Sequence, residues 1–152
     1  MTVNTNFSSG AILTAQQQNN FGRGLMAAPA TSTTTDSTIS AEEVMLTYTF
    51  TAVSGRNYLL QYFEPAMVGS AGATITARIR QTDIAGTVLN TFKSNVATAT
   101  NTIASCQVIY TAAASASLTI VATLQASSGT ATATRSSTQF PQLYALDVGT
   151  GY

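Results

Sequence analysis

From Val44 onward the chain alternates between apolar and polar positions. In MLTYTFTAV, Leu46, Tyr48, Phe50 and Ala52 fall on one side of an extended backbone and Thr47, Thr49 and Thr51 on the other. That is the period of a half-buried β-strand. SGRN is a turn signal. NYLLQYFE follows with apolar residues on both faces, which suits a central or covered strand. EPAMVGSAG reads as a loop. ATITARIRQT places Ile75, Ala77 and Ile79 on one face and Thr74, Thr76, Arg78 and Arg80 on the other. DIAG turns into TVLNTF, then come ASCQVIYT and SLTIVATLQ, the latter with Leu118, Ile120, Ala122 and Leu124 in line. SSG turns into TATATRSS, a weak Thr/Ala edge strand. FPQLYALDV closes the body, and its Pro141 is tolerable where a strand begins because no ladder donor is needed there.

About eight antiparallel strands, with turns spaced by roughly 8–12 residues, predict an all-β fold, a jelly-roll-like β-sandwich. A β-helix would need a fixed short repeat, and coiled coils need heptads; neither pattern is present.

Residues 1–40 differ from this body, which spans 41–152. Thr14 and Gln17 fit a T-x-x-Q capping box, in which side chains satisfy the free N–H groups at a helix start. A short helix over about Ala15–Asn20 follows, ended by Gly22 and Gly24, with Pro29 preventing resumption. AAPATSTTTDSTIS is a Thr/Ser-rich extended link. Around the helix stand Phe7, Ile12, Leu13, Phe21, Leu25 and Met26. Left in water, they would be a liability. They therefore read as an anchoring arm that packs on this domain's sheet or on a neighbour.

Composition adds that the surface is unusual. Of 152 residues only 8% are charged, six against six, so the net charge is zero. Surfaces that stay monomeric and soluble normally carry more charge, and neutrality favours association. A homotrimer or other small homo-oligomer is expected. Nucleic acid is not an expected partner, because the basic residues are scattered and leave no electrostatic footprint. The N-terminus carries neither a basic nor an apolar leader segment. No stretch has the length of a membrane-spanning helix, so no membrane partner is expected.

Catalytic chemistry is hard to place. The chain contains no histidine, the commonest general base and a frequent metal ligand. Glu42 and Glu43 are adjacent, so in an extended chain they face opposite sides. Glu64 with Asp83 or Asp147 could meet in the fold, but nothing in the sequence brings them together. Asp83 reads as a turn residue, and no D-x-D-x-D calcium spacing occurs. Cys106, the single cysteine, lies in IASCQVIY and reads as a small buried hydrophobe. FGRG lacks the lysine and further glycines of a phosphate loop. The expectation is a non-enzymatic protein with no cofactor and no metal. Sugar platforms favour tryptophan, of which there is none. Tyr58, Tyr62, Tyr110 and Tyr144 are the candidates left, but each fits a half-buried sheet position, and core or subunit contact explains them better.

Two stretches carry a family resemblance. NFSSGAILTAQQQNNFGRGLM resembles the opening of small structural proteins of tailed bacteriophages, where an F-x-x-G-x-x-L-T-A segment leads into N-N and a glycine. YTFTAVSGRNYLLQY, ATITARIRQTDIAGTVL and STQFPQLYALDVGTGY are similar to the β-sandwich that follows in many of them. The VSGRNY hairpin, the RIR strand and the LYALDVG strand carry the likeness. Ala145 and Leu146 stand where an acidic residue often precedes the aspartate. The resemblance implies a virion structural protein and does not itself choose between head decoration, minor tail and fibre-like roles. The chain is short and has no shaft, which favours a capsid-decoration protein on the virion surface, bound to the major capsid protein through its arm. The alternative is a minor tail or fibre-tip protein bound to a tail protein and to host surface glycan. It implies no catalytic residue. Such proteins are made in the host cytoplasm without a signal peptide and released by lysis.

Overall fold

In a computed structural model of the chain, residues 15–96 and 101–150 are described. A helix, α1 (Ala15–Asn20), precedes eleven strands: β1 (Gly24–Leu25), β2 (Ala30–Thr31), β3 (Asp36–Ile39), β4 (Glu43–Ala52), β5 (Arg56–Gly69), β6 (Thr74–Gln81), β7 (Val88–Asn95), β8 (Thr102–Thr111), β9 (Ala116–Ala126), β10 (Ala131–Ala133) and β11 (Gln142–Thr150). They form two antiparallel sheets facing each other as a β-sandwich. The smaller sheet runs β4-β9-β6-β7. In the larger one β5 is central. It pairs with β8 along one edge and with β11, then β10, along the other.

The alternation read from sequence sets the core. Leu46, Tyr48, Phe50 and Ala52 of β4, Ile75, Ala77 and Ile79 of β6, and Leu118, Ile120, Ala122 and Leu124 of β9 are buried together. They meet Tyr58, Leu60 and Tyr62 of β5, with Leu143 and Ala145 of β11. Tyr58 and Tyr62 are thus core residues, and Tyr110 and Tyr144 are partly buried against them. The Tyr58 hydroxyl accepts a bond from the Val53 amide at 2.9 Å.

Two expectations are corrected. EPAMVGSAG is mostly strand, because β5 runs unbroken to Gly69 and buries Ala66 and Met67. Pro65 is accommodated where the β5–β8 register shifts between Glu64 and Met67, so its missing N–H leaves no gap in the ladder. TATATRSS is not an edge. Its core, β10, lies between β5 and β3, with Ala131 and Ala133 fully packed. The eight strands read from the sequence are present as β4 to β11, and residues 24–39, read as arm and link, add three short ones among the described residues. β1 and β2 pair with β11, and β3 pairs with β10.

Those short strands also close one side of the sandwich. The Met26 amide donates to the Ala145 carbonyl at 3.0 Å, and the Tyr48 hydroxyl of the opposite sheet donates to the Ala27 carbonyl at 3.1 Å. A bare β11 edge would offer unpaired donors and acceptors to any passing strand. The N-terminal strands cover it.

Candidate functional site

The charged side chains, where chemistry would reside, are largely committed to holding strands together. Arg56 at the start of β5 is buried and pairs with buried Asp147 of β11 through Nε at 2.6 Å and Nη2 at 2.8 Å. Its remaining donors bond the carbonyls of Asn19 and, at 2.6 Å, Phe21. Burial alone would raise the Asp147 carboxyl, but the Arg56 hydrogen bonds and the Gly149 amide outweigh it and hold it below its usual value. Arg135 pairs with buried Glu64 at 2.6 Å, and it also donates to the Thr34 carbonyl at 3.3 Å. Tyr62 donates to the same Glu64 at 2.9 Å, and burial beside that carboxylate pushes its hydroxyl far up.

On the outer face of the smaller sheet, Glu42 receives Arg80 at 2.7 and 2.8 Å, Arg78 at 3.1 Å and the Thr123 hydroxyl at 2.6 Å. The Arg80 hydrogen bond leads in holding the Glu42 carboxyl down at about 2, against the opposing cost of burial. Glu43 faces away from this cluster. One of its buried oxygens has no partner among the described residues, and burial together with nearby Asp36 raises its carboxyl. Glu64 and Asp147 are each held by their own arginine, and Asp83 makes a turn by accepting the Ala85 amide at 2.8 Å. Among the described residues, no three His, Cys, Asp or Glu side chains group as metal ligands. Cys106 is buried, which raises its thiol.

Of the anchoring residues, Phe7, Ile12 and Leu13 lie outside the described residues, as does the capping Thr14. Phe21 and Leu25 are half exposed, at 51% and 49%, while Met26 packs against the core. The glycines behind Phe21 do more than stop a helix that already ends at Asn20. A Cβ on Gly22 would sit 2.6 Å from the Asp147 carbonyl oxygen, so only glycine lets the chain approach β11 that closely.

Sequence reading missed an uncharged outer face on the larger sheet. Leu25 stands opposite Leu146, Leu146 opposite Leu59, and Leu59 opposite Ile109. Directly opposed residues share a face. Four aliphatic side chains therefore form one row across β1, β11, β5 and β8, with Ile109 at its end 57% exposed. Beside it runs a row of Tyr144, Gln61 and Gln107, in which the Tyr144 hydroxyl donates to Gln61 Oε1 at 2.9 Å. The outward residues of β11, β5 and β8 include no charge. Alternation in each strand was legible, but the row exists only through cross-strand register.

A second feature lies where β7 overhangs the free edge of β8. Asn90 donates to the Gln107 carbonyl at 2.7 Å. Beside it is an open cavity of about 390 Å³ lined by Gln61, Asn90, Phe92, Ser105 and Gln107, among others. Phe92 is 48% exposed there.

No family model matches the chain, and no curated protein matches it. Solved structures similar to it include three β-sandwich proteins. One is a CBM4 carbohydrate-binding module, 14% identical over 74% of this chain and 81% of that one, with a TM-score of 0.38. Another is TmCBM61, solved in complex with β-1,4-galactotriose, 10% identical over 86% of this chain and 92% of that one, at 0.43. A third is VP2 of infectious bursal disease virus, in a subviral particle, 12% identical over 82% of this chain, at 0.40. This chain spans 38% of that VP2 chain. The likeness is one of fold.

Proposed function

We propose that the chain is a non-enzymatic structural protein on the surface of a tailed-phage virion, working by assembly as a capsid-decoration subunit. The observation that carries this reading is the division of labour among side chains. Arg56, Arg78, Arg80 and Arg135 are spent on Asp147, Glu42 and Glu64, and the outward face of the larger sheet is neutral and partly aliphatic. A surface of that kind suits contact with other subunits. The sequence motifs supply the phage context. The partners are further copies of this chain and the major capsid protein, the latter reached through the region around Phe21.

Gold-labelled antibody on purified particles tests the placement. Label over heads supports decoration, label at tails moves the protein to a tail or fibre role, and intact particles without label overturn the virion reading. Phe21→Asp, at a half-exposed site, is expected to leave the domain folded by circular dichroism and to abolish incorporation into particles.

The cavity beside Phe92 favours one second reading, a tail-tip protein that holds host surface glycan. An aromatic ring next to neutral amides offers an apolar platform and directed hydrogen bonds, as sugar sites require. A glycan array with the wild type and Phe92→Ala tests it. Binding lost in the variant supports this reading, and no binding by the wild type removes it.

A further inference from the structure

We propose that the outer face of the larger sheet is a docking surface for a second copy of this chain, the two sheets packing face to face about a two-fold axis. The contact rests on the self-association reading above but not on virion placement, which the gold label tests separately.

Three observations select a second copy as the occupant. First, the face has no like charges to bring together. A patch that meets itself across a two-fold axis places each charge near its own image, and the outward side chains of β11, β5 and β8 carry none. Arg23, close enough to Asp147 to act on its carboxyl, stands at the rim. The opposite face of the sandwich differs. There Arg78, Arg80 and Glu42 cluster beside rows of threonine, and the Thr49 and Thr119 hydroxyls bond each other at 2.8 Å.

Second, the polar groups on the face are self-matching. Asn57, Gln61 and Gln107 project outward from β5 and β8. A primary amide is both donor and acceptor, so each can bond its own kind in the second copy. An acidic or basic partner would find no counter-charge.

Third, the size fits a weak dimer. Three strands at about 4.8 Å spacing and nine residues at about 3.4 Å rise, with the two residues of β1 beside them, give a footprint of roughly 500 Å² per copy. The total of about 1,000 Å² falls below the standard interface size, in the range of weak contacts. The aliphatic row Leu25, Leu146, Leu59 and Ile109 would form its centre, packed against the same row of the other copy. Such an interface closes with two subunits. It therefore makes a dimer where composition alone suggested a trimer as readily.

Sedimentation velocity on the full chain, over about 1–500 µM, is the test. Monomer–dimer exchange is expected, with a dissociation constant of roughly 1–100 µM. Leu59→Lys and Ile109→Lys should each weaken it at least about tenfold, because both place a buried lysine against its own image. Thr51→Lys, on the outer face of the smaller sheet, should leave it unchanged. Thermal melts confirm that each variant is folded, and the exposed Ile109 site keeps the test alive if Leu59→Lys does not fold. A wild type that stays monomeric throughout, a trimer, or a dimer indifferent to both lysines would overturn the proposal.

Discussion

Arg56 at the start of β5 and Arg135 against its far half act alike. Each meets a buried carboxylate, Asp147 or Glu64, and turns its spare donors toward backbone carbonyls of the N-terminal segment. A buried ion pair is a poor source of net stability, but a half-pair is worse, because the remaining charge is left without water or partner. Here the geometry ties residues distant in sequence. Glu42 is different, since it is partly exposed and serves two arginines at once. Its folded carboxyl is depressed to about 2 from 4.5. The stabilisation is therefore fully present above pH 4.5 and is lost as pH falls toward 2. After allowance for solvent screening it amounts to about 2 kcal/mol. Urea melts at pH 6 and pH 2.5 should show a larger loss for the wild type than for Glu42→Gln, which keeps only the loss due to Asp147 and the other carboxylates.

Among the elements, the hairpin β6–β7 carries a local strain that can be relieved. Thr82 has φ at 75°, a left-handed conformation that β-branched residues resist. Its side chain is exposed. Thr82→Asn is expected to stabilise the fold by about 1 kcal/mol, since asparagine tolerates that region, and a rise in melting temperature checks it. The long strands β4, β6 and β9 were legible in the sequence, because one face is core and the other solvent. β5 was legible as central but not in its length, because Pro65 looks like a breaker until the register shift opposite it is known. β1 and β2 are two residues long, too short for any period, and their strand character comes from β11, which the local sequence does not contain. β10 was legible as a strand but not in its place between β5 and β3. The same holds for the aliphatic row, of which each strand contributes one residue. What the sequence did carry about function was mostly composition, namely few charges and an apolar arm.

For the whole molecule, the N-terminal segment belongs to the sandwich. It caps the β11 edge, bridges the two sheets through Ala27 and Tyr48, and receives both buried arginines. A truncated chain of residues 41–152 would lose β1, β2 and β3 and leave Arg56 and Arg135 with donors unmet. Its expected loss is at least about 5 kcal/mol, comparable to the whole stability of many domains. Its exposed β11 edge should also drive aggregation. Soluble yield and a thermal melt beside the full chain measure both. A truncated chain as soluble and as stable as the full one would mean that the segment is only attached.

The pairing of β1 and β2 with β11 also has a consequence in time. The ribosome makes β1 and β2 before the other described strands and β11 after them. At about 10 residues per second, roughly ten seconds separate them. Until then Arg56 has no Asp147, and the larger sheet lacks the strand that joins its N-terminal pieces to its centre. A chain broken off before Gln142 cannot finish its fold, whatever else it has formed. Translation of the final strand therefore serves as a completeness check on the fold, one that only chains read to the end of β11 can pass.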